Sequence, residues 1–174
     1  ALSDEELVQT QQIAQFLAHS DVGNDLNKAQ RLRLAAQCQP LTYEAGEKIV
    51  NVAESGQELY LIHSGIVEVW SDPEHPGEDS EHKQHVADLL PGQLAGELAL
   101  FDKQERSADL VAGDDGTILL ALDRERLLAL CEDDAILGTR LLWNISSALS
   151  QRVRFVLWQM QRLTQLSSRP NVRE

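Results

Sequence analysis

The sequence of 174 residues is poor in cysteine, in long apolar runs and in basic residues. Its two cysteines, Cys38 and Cys131, are too few for a disulfide scaffold and lie at no metal-binding spacing. We therefore expect buried free thiols in a reducing cytoplasm. No apolar run approaches the roughly 20 residues of a membrane-spanning helix, and the acidic start does not resemble a signal peptide. Direct membrane insertion is not expected.

Acidic residues outnumber basic ones, with 28 Asp and Glu against 15 Lys and Arg, and the net charge is −13. Nucleic-acid affinity rests on basic side chains that neutralise phosphates, so this balance argues against direct binding of DNA or RNA. The segment from Arg140 to the end nevertheless carries +5, which leaves −18 for the remainder. We interpret this end as a helix whose basic face is solvated or contacts the acidic body, rather than as a nucleic-acid arm.

A hydrophobic fraction of 43% and a charged fraction of 25% are typical of a globular protein, and the length suits one domain. Residues 1–38 predict an N-terminal helical segment. An acidic, cap-like start at Ser3 precedes apolar residues at helical spacing. Asn24 or Asp25 is expected to cap a second helix, which Pro40 ends.

Residues 39–131 predict β-structure, because short strand-like runs alternate with glycine-bearing turns. Many short strands of this kind favour a sandwich or barrel over a parallel sheet with helical crossovers. The polar, proline-bearing segment 72–83 predicts an exposed hairpin loop between the fourth and fifth strands. The predicted strands are Leu41–Tyr43, Lys48–Val52, Glu58–His63, Ile66–Ser71, His85–Leu89, Ala108–Ala112 and Thr117–Leu122.

The remainder of the chain predicts helices again. Asp123 is expected to cap a short helix over 124–130, and residues 132–167 predict one long C-terminal helix. Pro170 closes this helix and leaves 168–174 as a tail.

The second half of the long helix carries an apolar seam whose members step by 4, 3, 4 and 3 residues. Such heptad-like spacing predicts that two copies of the chain pair through this helix as a homodimer. Trp143 and Trp158 are expected to pack the helix against the body or against that partner. The seam residues are Leu149, Val153, Val156, Met160 and Leu163.

One stretch, residues 92–108, combines an anion-binding with a hydroxyl-binding function. Gly96 allows a tight turn, and the helical turn that follows presents unpaired N–H groups to an anion. Arg106 is a permanent cation with a fork of donors that suits phosphate oxygens, and Ser107 adds a hydroxyl. The ionised Glu97 carboxylate only accepts hydrogen bonds, so it repels phosphate and binds a sugar hydroxyl. A phosphorylated sugar fits this set; the residues alone equally allow a Glu97–Arg106 pair inside the fold.

The order of these residues resembles the phosphate-binding cassette of the cyclic nucleotide-binding domain family, of the catabolite activator protein and protein kinase A regulatory subunit type. Gly-Glu-Leu-Ala-Leu-Phe at 96–101 is followed, after four residues, by Arg-Ser-Ala at 106–108. Flanking motifs of the family recur in order: Tyr-Glu-Ala-Gly-Glu-Lys-Ile-Val at 43–50, Leu-Tyr-Leu-Ile-His-Ser-Gly-Ile-Val-Glu-Val at 59–69, and Leu-Pro-Gly-Gln at 90–93.

The resemblance extends from about Asp25 to Val156 and implies a mainly β fold with flanking helices. This fold is an eight-stranded, jelly-roll-like β-roll with N-terminal helices and a long C-terminal helix. The implied ligand is cAMP, with cGMP as the other option: Glu97 would bind the ribose 2′-hydroxyl, while Arg106 and Ser107 would bind the cyclic phosphate. The implied ligand-binding residues are Gly96, Glu97, Leu98, Ala99, Arg106 and Ser107, with apolar Val69 and Val86 near the base.

The sequence departs from the family in two respects. Activators place two adjacent hydroxyl residues of the long helix on the adenine, and the matching positions here are Arg152 and Val153, so the adenine preference stays open. A helix-turn-helix module does not fit into the short tail after Leu166. We therefore expect a cyclic nucleotide sensor that signals through its C-terminal helix to a fused or partner effector domain. The alternatives are a degenerate roll that serves as a dimerising interaction domain, and the ligand-binding part of a larger regulator.

Enzymatic activity is not predicted. No nucleophile–base pairing and no Gly-rich triphosphate loop occur, so we expect no catalytic residues and no cofactor. His75, His82 and His85 lie in or next to the acidic loop, but their spacing matches no known metal site. We expect a mobile polar loop without a metal ion.

Overall fold

Two four-stranded antiparallel sheets form the central part of the chain. The computed structural model describes residues 3–102 and 104–167, so the predicted tail 168–174 and Pro170 lie outside the described residues. The strands are β1 (Gln39–Tyr43), β2 (Lys48–Val50), β3 (Glu58–Ser64), β4 (Val67–Ser71), β5 (Gln84–Leu89), β6 (Leu94–Ala95), β7 (Asp109–Ala112) and β8 (Thr117–Asp123). One sheet has the order β1-β8-β3-β6 and the other β2-β7-β4-β5. The eight strands, with flanking helices, confirm the predicted fold class.

The first sheet is buried on both faces, because its two central strands alternate between two cores. Along β3, Leu59 and Leu61 pack against the helices, whereas Tyr60 and Ile62 point into the interior between the sheets. Strand β8 alternates in the same way. The core between the two sheets also includes Ala95, so it lies next to the segment 92–108.

Within the described ranges, five helices flank the roll. They are α1 (Asp4–Leu17), α2 (Lys28–Ala35), α3 (Glu97–Asp102), α4 (Arg124–Asp133) and α5 (Ala135–Ser167). Ser3 caps α1 as predicted. The prediction that Asn24 or Asp25 caps α2 is wrong: Asn27 caps it, and Asp25 lies in the preceding turn with φ 58°. Pro40 does not end this helix but lies in β1, an edge strand that tolerates the missing N–H.

The strand predictions are correct to within two residues for seven strands, and β6 was missed. Segment 72–83 does connect β4 to β5, but His85 belongs to β5. Asp72 is buried, and its carboxylate accepts the N–H groups of Glu74 and His75. Within residues 3–102 and 104–167, no three His, Cys, Asp or Glu side chains are grouped so as to hold a metal ion.

Asp123 caps α4 as predicted, but α4 continues to Asp133, so a domain boundary at residue 131 falls inside this helix. Helix α5 has 33 residues. Its first half packs on the body through buried Leu137, Leu141 and Ile145. Every side chain from 153 to 162 is exposed, because the helix extends beyond the roll.

The apolar residues of α5 include both exposed and packed positions. Trp143 is 74% and Trp158 51% exposed, so neither is buried against the body, and their contact with a partner stays a prediction. Leu149, assigned to the seam, packs partly on the chain's own core. None of the described helices is both long and apolar enough to span a bilayer. Cys38 and Cys131 are partly buried free thiols, and burial raises the pKa of Cys38 to about 12.

Asp109 begins β7, and its buried carboxylate joins three segments. Its Oδ1 accepts the Val52 N–H at 2.7 Å, and its Oδ2 lies 2.8 Å from Lys83 Nζ and 3.3 Å from Lys48 Nζ. Burial acts to raise the pKa of Asp109, but the Lys83 ammonium, the Val52 N–H and Lys48 together hold the pKa below its usual value. The network fixes the strand that follows the predicted anion-binding segment.

We expect Asp109→Asn to lower the free energy of unfolding by about 2 kcal/mol, because the mostly buried Lys83 ammonium loses its buried carboxylate. Asp79→Asn is the matched control: Asp79 contacts the same ammonium but is 74% exposed, so the loss should stay below about 0.5 kcal/mol. Since the folded pKa of Asp109 is depressed, its contribution is complete above the unfolded pKa of about 3.9 and disappears as pH falls through the folded value. Urea unfolding at pH 7 measures the difference; equal losses would contradict this role.

Candidate functional site

The cassette begins where β6 ends. Gly96 follows Ala95 with φ +82°, a left-handed conformation that favours glycine, and α3 starts at the next residue. A Cβ atom on Gly96 would overlap the Arg106 guanidinium and lie 2.9 Å from the Glu58 carbonyl oxygen. The turn thus brings the backbone of 96–97 close to Arg106, which lies ten residues further along the chain.

Arg106 is 5% exposed and is fixed along its whole length. Its backbone pairs with the chain at 53–54, through Ala53 N–H to Arg106 O and Arg106 N–H to Glu54 O, both at 2.9 Å. Its guanidinium centre lies 5.5 Å from the centre of the Tyr60 ring. A Cβ atom on Gly56 would also overlap the guanidinium, so the two chain segments leave room for the arginine alone.

Three acceptors surround the guanidinium. Nη2 donates to the Glu58 carbonyl oxygen at 3.0 Å and lies 3.3 Å from Glu58 Oε2, while Nη1 donates to the Gly96 carbonyl oxygen at 3.4 Å. The side chain of Glu58 is 45% exposed. Two backbone carbonyl dipoles and one partly exposed carboxylate therefore neutralise this buried cation.

Glu97 is 3% exposed and is paired through one oxygen only. Its Oε1 forms an ion pair with Arg152 of α5, and Arg152 Nη2 donates to the Leu94 carbonyl oxygen at 2.7 Å. Among the described residues, Glu97 Oε2 has no hydrogen-bond partner although it is buried. The alternative that Glu97 and Arg106 pair with each other is wrong, because each contacts a different residue.

Asp21, in the turn after α1, adds a second carboxylate near Arg152. Burial raises the pKa of Asp21, while the Leu94 N–H and the charge of Arg152 act to lower it. The Asp21 N–H also donates to the Gly92 carbonyl oxygen at 2.8 Å. The N-terminal turn, the start of the cassette and α5 therefore meet at Arg152.

This arrangement can bind a polyol that carries an anion. A buried acceptor that lacks a donor costs free energy of about 1–3 kcal/mol, and a hydroxyl donor at Glu97 Oε2 would recover it. The Arg106 guanidinium supplies planar, charge-assisted donors for an anion within the same cassette. A buried acceptor without a donor and a buried cation thus lie in the same cassette.

The other predicted residues differ in where the structure places them. Val69 packs in the same interior core as Tyr60, and therefore on the side of the roll that holds Arg106. Ser107 and Leu98 are exposed beside the two charged residues in the chain. Val86 on β5 is 48% and Val153 on α5 56% exposed. Ala99 lies in α3, and its side chain is outside the described part.

Sequence reasoning missed Glu58, Tyr60 and Gly56 as neighbours of Arg106. Glu58 stands 48 positions before Arg106, and Glu97 stands 55 positions before Arg152. Contacts at such separations leave no periodic signal. The available signal was chemical: a glycine at 56 and an acid at 58 stand directly before four apolar residues of β3.

Comparisons with known proteins show the family to which the chain belongs. The sequence matches the model of the family described as "Cyclic nucleotide-binding domain" over residues 40–134. It is 38% identical over 112 residues to the cyclic AMP receptor protein of Thermus thermophilus, and 30% identical over 130 residues to the cAMP-dependent protein kinase regulatory subunit of Dictyostelium discoideum. The matched regions cover 64% and 75% of this chain but 47% and 39% of the relatives, so the chain spans less than half of their length.

The solved structures give the same result. The crystal structure of the Thermus thermophilus catabolite activator protein superposes with a TM-score of 0.68 at 34% identity, over 83% of this chain and 63% of that chain. The family model spans more than half of the present sequence and includes the whole cassette. The chain therefore belongs to the cyclic nucleotide-binding domain family.

Proposed function

We propose that the chain is a sensor module that binds cAMP through its cassette and passes the signal on through α5. The observation that carries this proposal is the buried Glu97 Oε2, an acceptor without a donor, in the same cassette as the buried Arg106 cation. A 3′,5′-cyclic nucleotide offers one ribose 2′-hydroxyl and one phosphate anion at fixed separation. The hydroxyl supplies the partner that Glu97 Oε2 lacks, and the phosphate is an anion that the Arg106 guanidinium can bind.

In this proposal each residue has a defined task. Arg106 binds the cyclic phosphate, assisted by the Ser107 hydroxyl and by the amides of Leu98 and Ala99. Glu97 accepts the 2′-hydroxyl on Oε2 and keeps Arg152 on Oε1. The residues assigned to the base are Val69, Val86, Arg152 and Val153. None of these contacts selects adenine over guanine, so cGMP remains the second candidate ligand.

The proposed signal path runs through Arg152. The Glu97 carboxylate connects α5 to the cassette through its ion pair with Arg152. A ligand that binds Glu97 changes the charge distribution and hydrogen bonding of this carboxylate. The ligand shifts the position of α5 if it binds one arrangement of this contact more tightly than another. The output is then the orientation of α5, which a fused or partner effector domain detects. This role requires no catalysis and no cofactor. We expect the module to act in the cytoplasm. We expect the effector domain, and not this module, to make any contact with nucleic acid.

The exposed end of α5 favours a homodimer. Large apolar residues are 46–59% exposed there: Val153, Phe155, Val156, Leu157, Trp158 and Met160. At about 1.5 Å per residue, the helix is about 50 Å long, and its own body covers only the first half. This observation also supports the alternative function, a non-binding roll that acts only as a dimerising interaction domain. Ligand titration separates the two.

Arg106→Ala should weaken cAMP binding by at least tenfold, because a charge-assisted contact of this kind contributes about 1.5–3 kcal/mol. Arg154→Ala, an exposed position on α5, removes the same charge and should leave the affinity unchanged. Calorimetric titration with cAMP and cGMP measures both, and thermal unfolding verifies that the variants fold. Equal affinities of wild type and Arg106→Ala would contradict the assignment.

Glu97→Gln should weaken cAMP about tenfold and 2′-deoxy-cAMP much less, because the proposed partner of Oε2 is the 2′-hydroxyl. The control is Glu105→Gln, which removes an exposed acid from the same cassette and should change neither affinity. Competition between the two nucleotides gives the ratio of affinities directly. A uniform loss for both nucleotides would assign Glu97 a structural role only.

The wild-type chain should sediment as a dimer at micromolar concentration. Val153→Glu with Met160→Glu places four charges in the seam of a symmetric pair and should give a folded monomer. Gln151→Glu with Gln161→Glu adds the same charges to exposed positions outside the seam and should keep the dimer. A monomeric wild type, with and without cAMP, would refute the dimer.

A further inference from the structure

We propose that the Glu58 carboxylate is an internal competitor for Arg106, which occupies part of the position of the ligand's phosphate and so raises the ligand concentration needed for binding. This inference rests on the proposed function. It assigns Glu58 a regulatory role at the anion site that neither the cassette motif nor the family match contains.

The geometry shows that the carboxylate is not what holds Arg106 in position. The guanidinium is fixed by the carbonyl oxygens of Glu58 and Gly96, by the Tyr60 ring and by the close approach of Gly56. The backbone of Arg106 is paired independently with 53–54. Arg106 therefore keeps its position when the Glu58 side chain moves.

The carboxylate itself is loosely held. Its Oε2 lies 3.3 Å from Arg106 Nη2, longer than the 2.7–2.9 Å that is typical of N⁺–H···O⁻ contacts. Its other contact is with the Gln57 N–H at 3.2 Å, and its side chain is 45% exposed. A phosphate group brings two acceptor oxygens in one rigid unit. It can replace this single contact while the Glu58 side chain turns into solvent.

The charge of Glu58 also acts on the interior side of the roll. Burial first, and then the Glu58 charge, raise the pKa of Tyr60, while Arg106 lowers it. The Glu58 charge also helps to raise the pKa of Tyr43. A phosphate bound at Arg106 would therefore meet a second negative charge within a few ångströms, and this repulsion weakens binding.

The test is Glu58→Gln, which keeps the shape and removes the charge, with Glu58→Ala as a second variant. We expect cAMP to bind about three- to tenfold more tightly to both variants at low salt, and the gain to shrink in 0.5 M salt because screening weakens the repulsion. Adenosine, which lacks the phosphate, should show no gain. Glu54→Gln, an exposed acid in the same loop that does not contact the guanidinium, is the matched control and should leave the affinity unchanged.

The outcomes are distinguishable. Weaker cAMP binding to Glu58→Gln would mean that the carboxylate positions Arg106. A gain in cAMP affinity equal to that of Glu54→Gln would mean a general charge effect. Either result overturns the inference and leaves the proposed function intact. A folded wild type and folded variants that all fail to bind cAMP and cGMP would overturn both. Tighter binding that is restricted to phosphate-bearing ligands and reduced by salt supports the competitor.

Discussion

The structure depends on the burial of two opposite charges at one end of a β-roll. An unpaired buried charge is costly, so Arg106 and Glu97 each need compensation from elsewhere in the chain. Arg106 receives it from β3, through the carbonyl and carboxylate of Glu58. Glu97 receives it from α5, through Arg152. The two residues lie nine positions apart, yet they are neutralised by different elements of the fold, so each charge has its own partner. In the proposed function, this separation allows them to bind different parts of one ligand.

The ion pair between Glu97 and Arg152 also contributes to the position of α5. Apolar residues such as Leu137 and Ile145 hold the first half of the helix on the body, and Arg152 further along contacts the roll. Every side chain from 153 to 162 is exposed. The contact that ends the packed half is therefore also the contact with the proposed ribose-binding carboxylate. A helix that is attached to the cassette through a partly exposed ion pair can shift at a modest cost in free energy. This property fits the proposed module, which reports ligand binding as a change of helix orientation.

Local features were predictable from the sequence, and contacts between distant segments were not. The cassette lies within seventeen consecutive residues, so Gly96, Glu97 and Arg106 could be identified from their order and chemistry. Strand β6 is two residues long and held by pairing with β3, so no alternation marks it. The cap of α2 was misplaced because Asn24, Asp25 and Asn27 are chemically equivalent candidates, and only the left-handed turn at Asp25 decides between them. Helical periodicity placed Leu149 in the seam, but an apolar period does not tell which of two surfaces buries a residue.

The most direct test of the account is a calorimetric titration of the wild-type chain with cAMP at low salt, with adenosine as the ligand that lacks the anion. The account predicts one saturable cAMP site per chain, weakened by salt, and much weaker binding of adenosine, because adenosine lacks the phosphate that Arg106 is proposed to bind. A folded chain that binds neither cAMP nor cGMP at millimolar concentration would contradict it.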